Sequence, residues 1–192
     1  AFKTENPLAV DKLQRSLNGI LPPDIRVWEA GEAPADFVAR YAREKTYRYA
    51  FACGSVVSPF QRRYAWHIPE GLDVDAMQSA AKLLAGEHDF SSFVAAGGAE
   101  KEPVRTIIGI EFGRGGIVSA CANDGDVFHL DITANGFLYK MVRNIVGTLA
   151  EIGRGKIPAE EMKAILAARD RTAAGPTAPA HGLCLISVRY EE

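Results

Sequence analysis

With 192 residues, 47% of them hydrophobic, the chain is long enough for one or two compact domains, each with a buried core. It holds no run of about 18 uncharged apolar residues, and Ala1 to Asn6 lacks the form of a secretion signal, so a cytoplasmic setting is expected. A formal charge of −2 argues against indiscriminate coating of nucleic acid, yet leaves local basic groups such as Arg40, Arg43, Lys45 and Arg48.

In chain order, Asn6 to Leu21 reads as a helix, with Asn6 as its cap, Pro7 at the first helical position and Leu8, Leu13 and Leu17 apolar. Pro22-Pro23 ends it. Ile25 to Ala30 reads as a strand, and Gly31 to Asp36 as a turn or domain boundary. Lys45 to Cys53 is the clearest strand: its alternation puts Tyr47, Tyr49 and Phe51 on one face and Arg48 and Ala50 on the other. Arg63 to Ile68 reads as a further strand. Leu72 to Leu84 reads as a helix with Asp73 as cap and Gly86 as stop, followed by His88 to Phe93 and a flexible stretch at Ala95 to Ala99.

Strands are expected at Arg105 to Phe112 and Gly116 to Cys121, joined by a hairpin loop at Gly113-Arg114-Gly115, and again at Asp126 to Ile132. Leu138, Met141, Val142, Ile145, Leu149 and Ile152 recur at three- and four-residue steps, the period of a helix that buries one face. Pro158 to Asp170 is the last helix, and Leu183 to Tyr190 alternates like a closing strand. The expected class is α+β, a mostly antiparallel sheet with helices packed on it.

Arg143 lies off the apolar stripe of its helix. It shares a side with Tyr139 and with Gly147, which removes a side chain one turn along and lets a backbone or a ligand approach closely. The helix pattern alone favours an arginine that runs to solvent or pairs with a surface carboxylate; the alternative is one aimed at a pocket. Phosphate-loop, nucleophile-elbow and paired-histidine signatures are absent from the sequence. Cys53, Cys121 and Cys184 are odd in number and far apart, and the four histidines show no close ligand spacing, so neither a disulfide framework nor a metal is expected. An aromatic strand interleaved with arginine suits base stacking with phosphate anchoring, and it also suits a packed sheet face, the reading favoured for Tyr49 and Phe51.

Five ordered segments give the chain a family likeness. Tyr47-Arg48-Tyr49, His88 to Phe93, Pro103-Val104-Arg105-Thr106, Asn135 to Leu149 and Arg169 to Leu183 resemble the tRNA pseudouridine synthase A family. Asn18 to Ile25 and Asp36 to Arg40 are also similar to family segments, with Val38 where a histidine is common. The resemblance implies isomerisation of uridine to pseudouridine in the tRNA anticodon stem-loop (tRNA positions 38 to 40), without cofactor or metal, by a cytoplasmic homodimer that shares the tRNA. It assigns Tyr47 to the flipped uracil and to proton removal, and Arg143 to an ion pair with the nucleophilic aspartate. Leu183 would wall the uracil pocket, or is a plain core leucine. Arg40, Arg48, Arg105, Lys140, Arg169 and Arg171 are candidates for phosphate contacts.

The family's nucleophile lies in an Arg-Thr-Asp-Ala-Gly motif, and these 192 residues contain no such motif. The resemblance therefore implies a C-terminal fragment that is inactive alone, with residues 1–36 the remainder of the N-terminal catalytic domain and 37–192 the C-terminal synthase domain. Arg143 is then expected to be solvated, bound to an adventitious anion or paired with a local carboxylate. Two alternatives are a noncatalytic module that docks RNA or a partner, and a small-molecule enzyme using His88, Asp89 or His181.

Overall fold

A computed structural model describes residues 1–97, 102–117 and 126–190. It divides into two compact units, Ala1–Tyr41 and Ala42–Glu192. Among the described residues no helix is long and apolar enough to cross a membrane.

The first unit has one helix, α1 (Val10–Ile20), none of whose residues is buried. It begins later than the capping pattern predicts. Asn6 Oδ1 accepts from Leu8 N at 3.0 Å, closing a local turn instead of a helix, and the residue at the helix N-cap is Ala9, which offers no side-chain bond. The end is as expected: Leu21 turns extended ahead of Pro22-Pro23. The strand expected at Ile25 to Ala30 does not form. Two amide side chains of α1 take the place of a neighbouring strand: Asn18 brackets Val27 through Val27 N to Oδ1 (2.8 Å) and Nδ2 to Val27 O (2.9 Å), and Gln14 Nε2 donates to Val27 O and Trp28 O.

The second unit is built on a six-stranded sheet: β1 (Glu44–Cys53), β2 (Trp66–Ile68), β3 (Gly86–Asp89), β4 (Val104–Arg114), β5 (Asp126–Ala134) and β6 (Leu183–Arg189). β1 is central. β5 pairs antiparallel with it along Lys45 to Cys53, so the opposite edge is shared: β6 pairs antiparallel with Glu44 to Tyr49, and β2 parallel with Phe51 to Cys53. β4 and then β3 continue the sheet beyond β5.

Among the described residues its α-helices are α2 (Val74–Lys82), α3 (Met141–Gly153) and α4 (Glu161–Ala168). Asp73 caps α2 by accepting from Ala76 N at 2.9 Å. Tyr49, Phe51, Leu130 and Ile132 of the sheet share one fully buried cluster with Ile145 and Leu149 of α3 and Met77 of α2. This is the α+β architecture expected from the sequence.

Several details depart from the sequence expectations. β2 is confined to Trp66–Ile68, because Arg63 and Tyr64 lie in turns. β3 has no strand-like alternation and is defined by its pairing with Val104 to Ile107. β4 runs through Gly113 and Arg114, which were expected to form a hairpin loop. Gly113 and Arg114 stay in the ladder opposite His129 and Phe128, and the absence of a side chain at Gly113 makes room for the His129 ring, whose Nε2 lies 2.5 Å from the place a Cβ would occupy. The strand expected at Gly116 to Cys121 and the stretch at Ala95 to Ala99 lie largely or partly outside the described residues, as does Cys121.

Candidate active site

The site is organised by a crossing of two backbones. Residues 174–178 pass over α3 at Gly147, where an added Cβ would fall 1.6 Å from Pro176 O; at Gly175 a Cβ would fall 2.8 Å from Thr148 Cα. Two glycines facing each other are what permit the approach. The close neighbour anticipated at Gly147 is therefore a segment of the chain itself. It also explains why α3 is buried almost all round, with Asn144 and Thr148 at 0% exposure opposite the apolar stripe.

The crossing is held by buried polar groups with satisfied bonds. Thr148 Oγ1 donates to Asn144 O (2.8 Å) and accepts from Gly175 N (2.9 Å). Asn144 Nδ2 donates to Phe93 O (2.7 Å), while its Oδ1 accepts from Thr177 Oγ1 (2.6 Å) and Arg171 Nη2 (3.2 Å). Arg171 also donates to Ala174 O and Thr177 Oγ1. Leaving any one of these groups unpaired would cost about 1 to 3 kcal/mol, so the network fixes the path of the segment.

That path delivers two carbonyls. Ala178 exchanges bonds with Arg143, its N–H donating to Arg143 O at 3.0 Å and its carbonyl accepting from Arg143 Nε at 2.7 Å. Pro179 O accepts from the Tyr49 hydroxyl at 2.8 Å. Burial pushes the Tyr49 phenol well above its ordinary range, with the nearby positive charge of Arg143 opposing, so the hydroxyl stays a neutral donor. Gly182 lies against the same ring, its missing Cβ 2.7 Å from Tyr49 Cζ, and Leu183 is the Cα partner of Tyr49 across β1 and β6.

Tyr47 stands two residues earlier on the same face of β1, half-buried, with Phe137 edge-on at 5.1 Å and 88°. Tyr49 thus links all three expected site residues: Tyr47 beside it on the strand, Leu183 opposite it, and Arg143 within electrostatic range. Arg143 is half-buried and forms no ion pair among the described residues; of its donors, Nε is engaged with Ala178 O. The local carboxylate partner expected as one possibility is not found there. A guanidinium held by one nitrogen keeps its two terminal nitrogens in a fixed plane, suited to meet a carboxylate or another planar anion.

A sequence model described as tRNA pseudouridine synthase matches residues 80–191. A protein of Halalkalibacterium halodurans named tRNA pseudouridine synthase A is 50% identical over 183 residues, covering 95% of this chain and 66% of that protein. One of the same name from Moorella thermoacetica is 47% identical over 191 residues, covering 99% of this chain and 74% of its own length. This chain belongs to that family. It spans about two thirds to three quarters of the length of these relatives.

The candidate phosphate contacts are scattered by the fold. Arg48 faces away from Tyr47 and grips Asp131 with two bonds, Nε to Oδ1 at 2.8 Å and Nη2 to Oδ2 at 2.7 Å, which raises its own pKa. Arg171 is committed to the Asn144 network. Arg105 Nη1 donates to the Glu102 and Val104 carbonyls, and Arg169 Nε meets Asp89 Oδ2 at 3.0 Å while most of its side chain stays exposed. Lys140, exposed and in the left-handed region at φ 58°, holds its ammonium 5.1 Å above the Tyr139 ring. Arg40 is exposed in the first unit.

His88, Asp89 and His181 do not converge. His88 Nε2 bonds Ala85 O, His181 Nε2 bonds Ala65 O, and the Asp89 carboxylate accepts from Ser91, which holds it below the usual carboxylate range. Among the described residues no group of three or more His, Cys, Asp and Glu could hold a metal ion. The sequence reading missed Tyr49 as more than core, and missed Asn144, Thr148 and Thr177 altogether. The available signal was Asn144 and Thr148, four residues apart inside an otherwise apolar helix and flanking Gly147.

Proposed function

We propose that this chain is the C-terminal part of a tRNA pseudouridine synthase that isomerises uridine to pseudouridine in the anticodon stem-loop. The observation that carries this reading is Arg143, fixed by Ala178 O, within electrostatic range of Tyr49 and without an ion pair among the described residues. In the reaction the glycosidic bond breaks and the base reattaches through carbon. The target uridine leaves its stack at a cost of a few kcal/mol, and stacking on Tyr47 returns about 1 to 3 kcal/mol. Arg143 pairs with the nucleophilic aspartate and keeps it ionised and oriented. Leu183 closes the apolar side of the base pocket.

Residues 1–36 in this reading complete an N-terminal catalytic domain and 37–192 form the C-terminal one, in a cytoplasmic homodimer. The carboxylate nucleophile is outside these 192 residues, which hold no Arg-Thr-Asp-Ala-Gly sequence. Release of tritium from uridine-labelled tRNA tests both clauses. The 192 residues alone release none; joined to a segment carrying that motif they turn over, and Arg143→Ala lowers the rate at least a hundredfold. Turnover by the 192 residues alone would sink the assignment of the nucleophile. A joined protein that binds tRNA but never turns over would favour a noncatalytic docking module.

A further inference from the structure

The connection from β1 to β2 carries chemistry that the site above does not use. Residues 54–65 contain Arg62 and Arg63 and no aspartate or glutamate. Phe60 is 68% exposed and Tyr64 46%, and both arginines are exposed with no ion pair among the described residues. The segment that presents them is folded. Gln61 N and Arg62 N donate to Ser58 O at 3.0 and 3.1 Å, Tyr64 N donates to Gln61 O at 2.8 Å, and Gln61 and Ala65 are buried beneath the turn.

The segment is also joined to the site. His181 Nε2 donates to Ala65 O at 3.1 Å, and His181 sits between Pro179, which receives the Tyr49 hydroxyl, and Leu183. The loop leaves β1 six residues after Tyr47, about 20 Å along the strand, a short distance on the scale of an RNA stem-loop. Exposed rings and arginines also occur at protein interfaces, but there each guanidinium is met by a carboxylate of the partner and not by a regularly repeating backbone charge. Rings interleaved with unpaired guanidinium groups are instead the chemistry that stacks unpaired bases while neutralising the backbone between them.

We infer that residues 58–64 are a second RNA-contact surface, with Phe60 and Tyr64 stacking on unpaired bases and Arg62 and Arg63 meeting phosphates of the substrate strand away from the target uridine. The inference rests on the reading above in taking tRNA as the partner. It adds a strand-holding surface that reads no base edge, so it serves every substrate stem-loop alike.

Fluorescence anisotropy of a labelled anticodon stem-loop, titrated with the chain across a salt series, tests it, with a blunt RNA duplex as control. R62A/R63A binds about tenfold more weakly at low salt, and its log–log salt slope is shallower by about 1.4, two phosphates on a single strand. R62K/R63K keeps the wild-type slope. F60A weakens stem-loop binding about tenfold and leaves duplex binding unchanged. All these side chains are exposed, so melting temperatures stay at the wild-type value. Wild-type slope and affinity in R62A/R63A, or equal weakening of loop and duplex by F60A, overturns the surface and leaves the proposed activity intact. Absence of turnover by the joined protein in the tritium assay, with these binding effects retained, would overturn the activity alone.

Discussion

The two faces of β1 carry alternate residues of one ten-residue strand, and the fold treats them in opposite ways. On one face Tyr49 and Phe51 have no exposure, and the tyrosine hydroxyl is spent on a carbonyl of the segment that crosses α3. On the other, Arg48 stays about a quarter exposed and neutralises Asp131 within the sheet, while Ala50 and Ala52 pack under Ala65 and Val127. The first face converts burial into position: packing ends at half-buried Tyr47, and the groups behind that ring are locked. The second face is closed at Ala50 and Ala52 and reaches solvent at Arg48, where an ion pair braces the sheet. An arginine in a family-like motif can therefore be structural, while the buried tyrosine next to it anchors the segment that crosses α3.

The contrast can be broken most severely at the crossing. Gly147→Ala puts a methyl group into the Pro176 carbonyl, a backbone atom that cannot rotate away, and should cost about 3 kcal/mol in urea unfolding. A loss below about 1 kcal/mol would mean that the segment yields and that Arg143 is not held by it. Tyr49→Phe comes next, at about 1 kcal/mol, from the orphaned Pro179 carbonyl. It carries a pH signature. Because the folded state raises the Tyr49 pKa, its contribution is full below the unfolded value of about 10 and is lost as pH rises beyond it, so the stability difference between wild type and Tyr49→Phe shrinks above pH 10.

The smallest effect belongs to the open face. Arg48→Met should cost less than about 1 kcal/mol, and less still in high salt, because the pair is partly solvated. A loss matching that of Tyr49→Phe would erase the difference between the faces.

Local periodicity was enough to read β1, with its three rings on one side, and the apolar stripe of α3. Gly147 was legible as a place of close approach, though not what approaches. The remainder depends on contacts between distant positions. Asn144 bonds partners 27, 33 and 51 residues away, and β3 exists only because β4 pairs with it. At the start of the chain a local rule misled: Asn6-Pro7 has the pattern of a helix start, yet the Asn6 side chain satisfies Leu8 within a turn. Alternation alone could not say where along the aromatic face burial ends: it is complete at Tyr49 and Phe51 and partial at Tyr47.

The bond from Arg143 Nε to Ala178 O has a stereochemical consequence. A guanidinium offers a carboxylate either its flank, Nε with one Nη, or its tip, the two Nη groups together. With Nε already donating to Ala178, the flank is closed and only the tip remains for a bidentate partner. The chain thereby selects the direction from which an acid can dock, along the long axis of the side chain. A lysine in its place would keep the charge and lose that choice of direction.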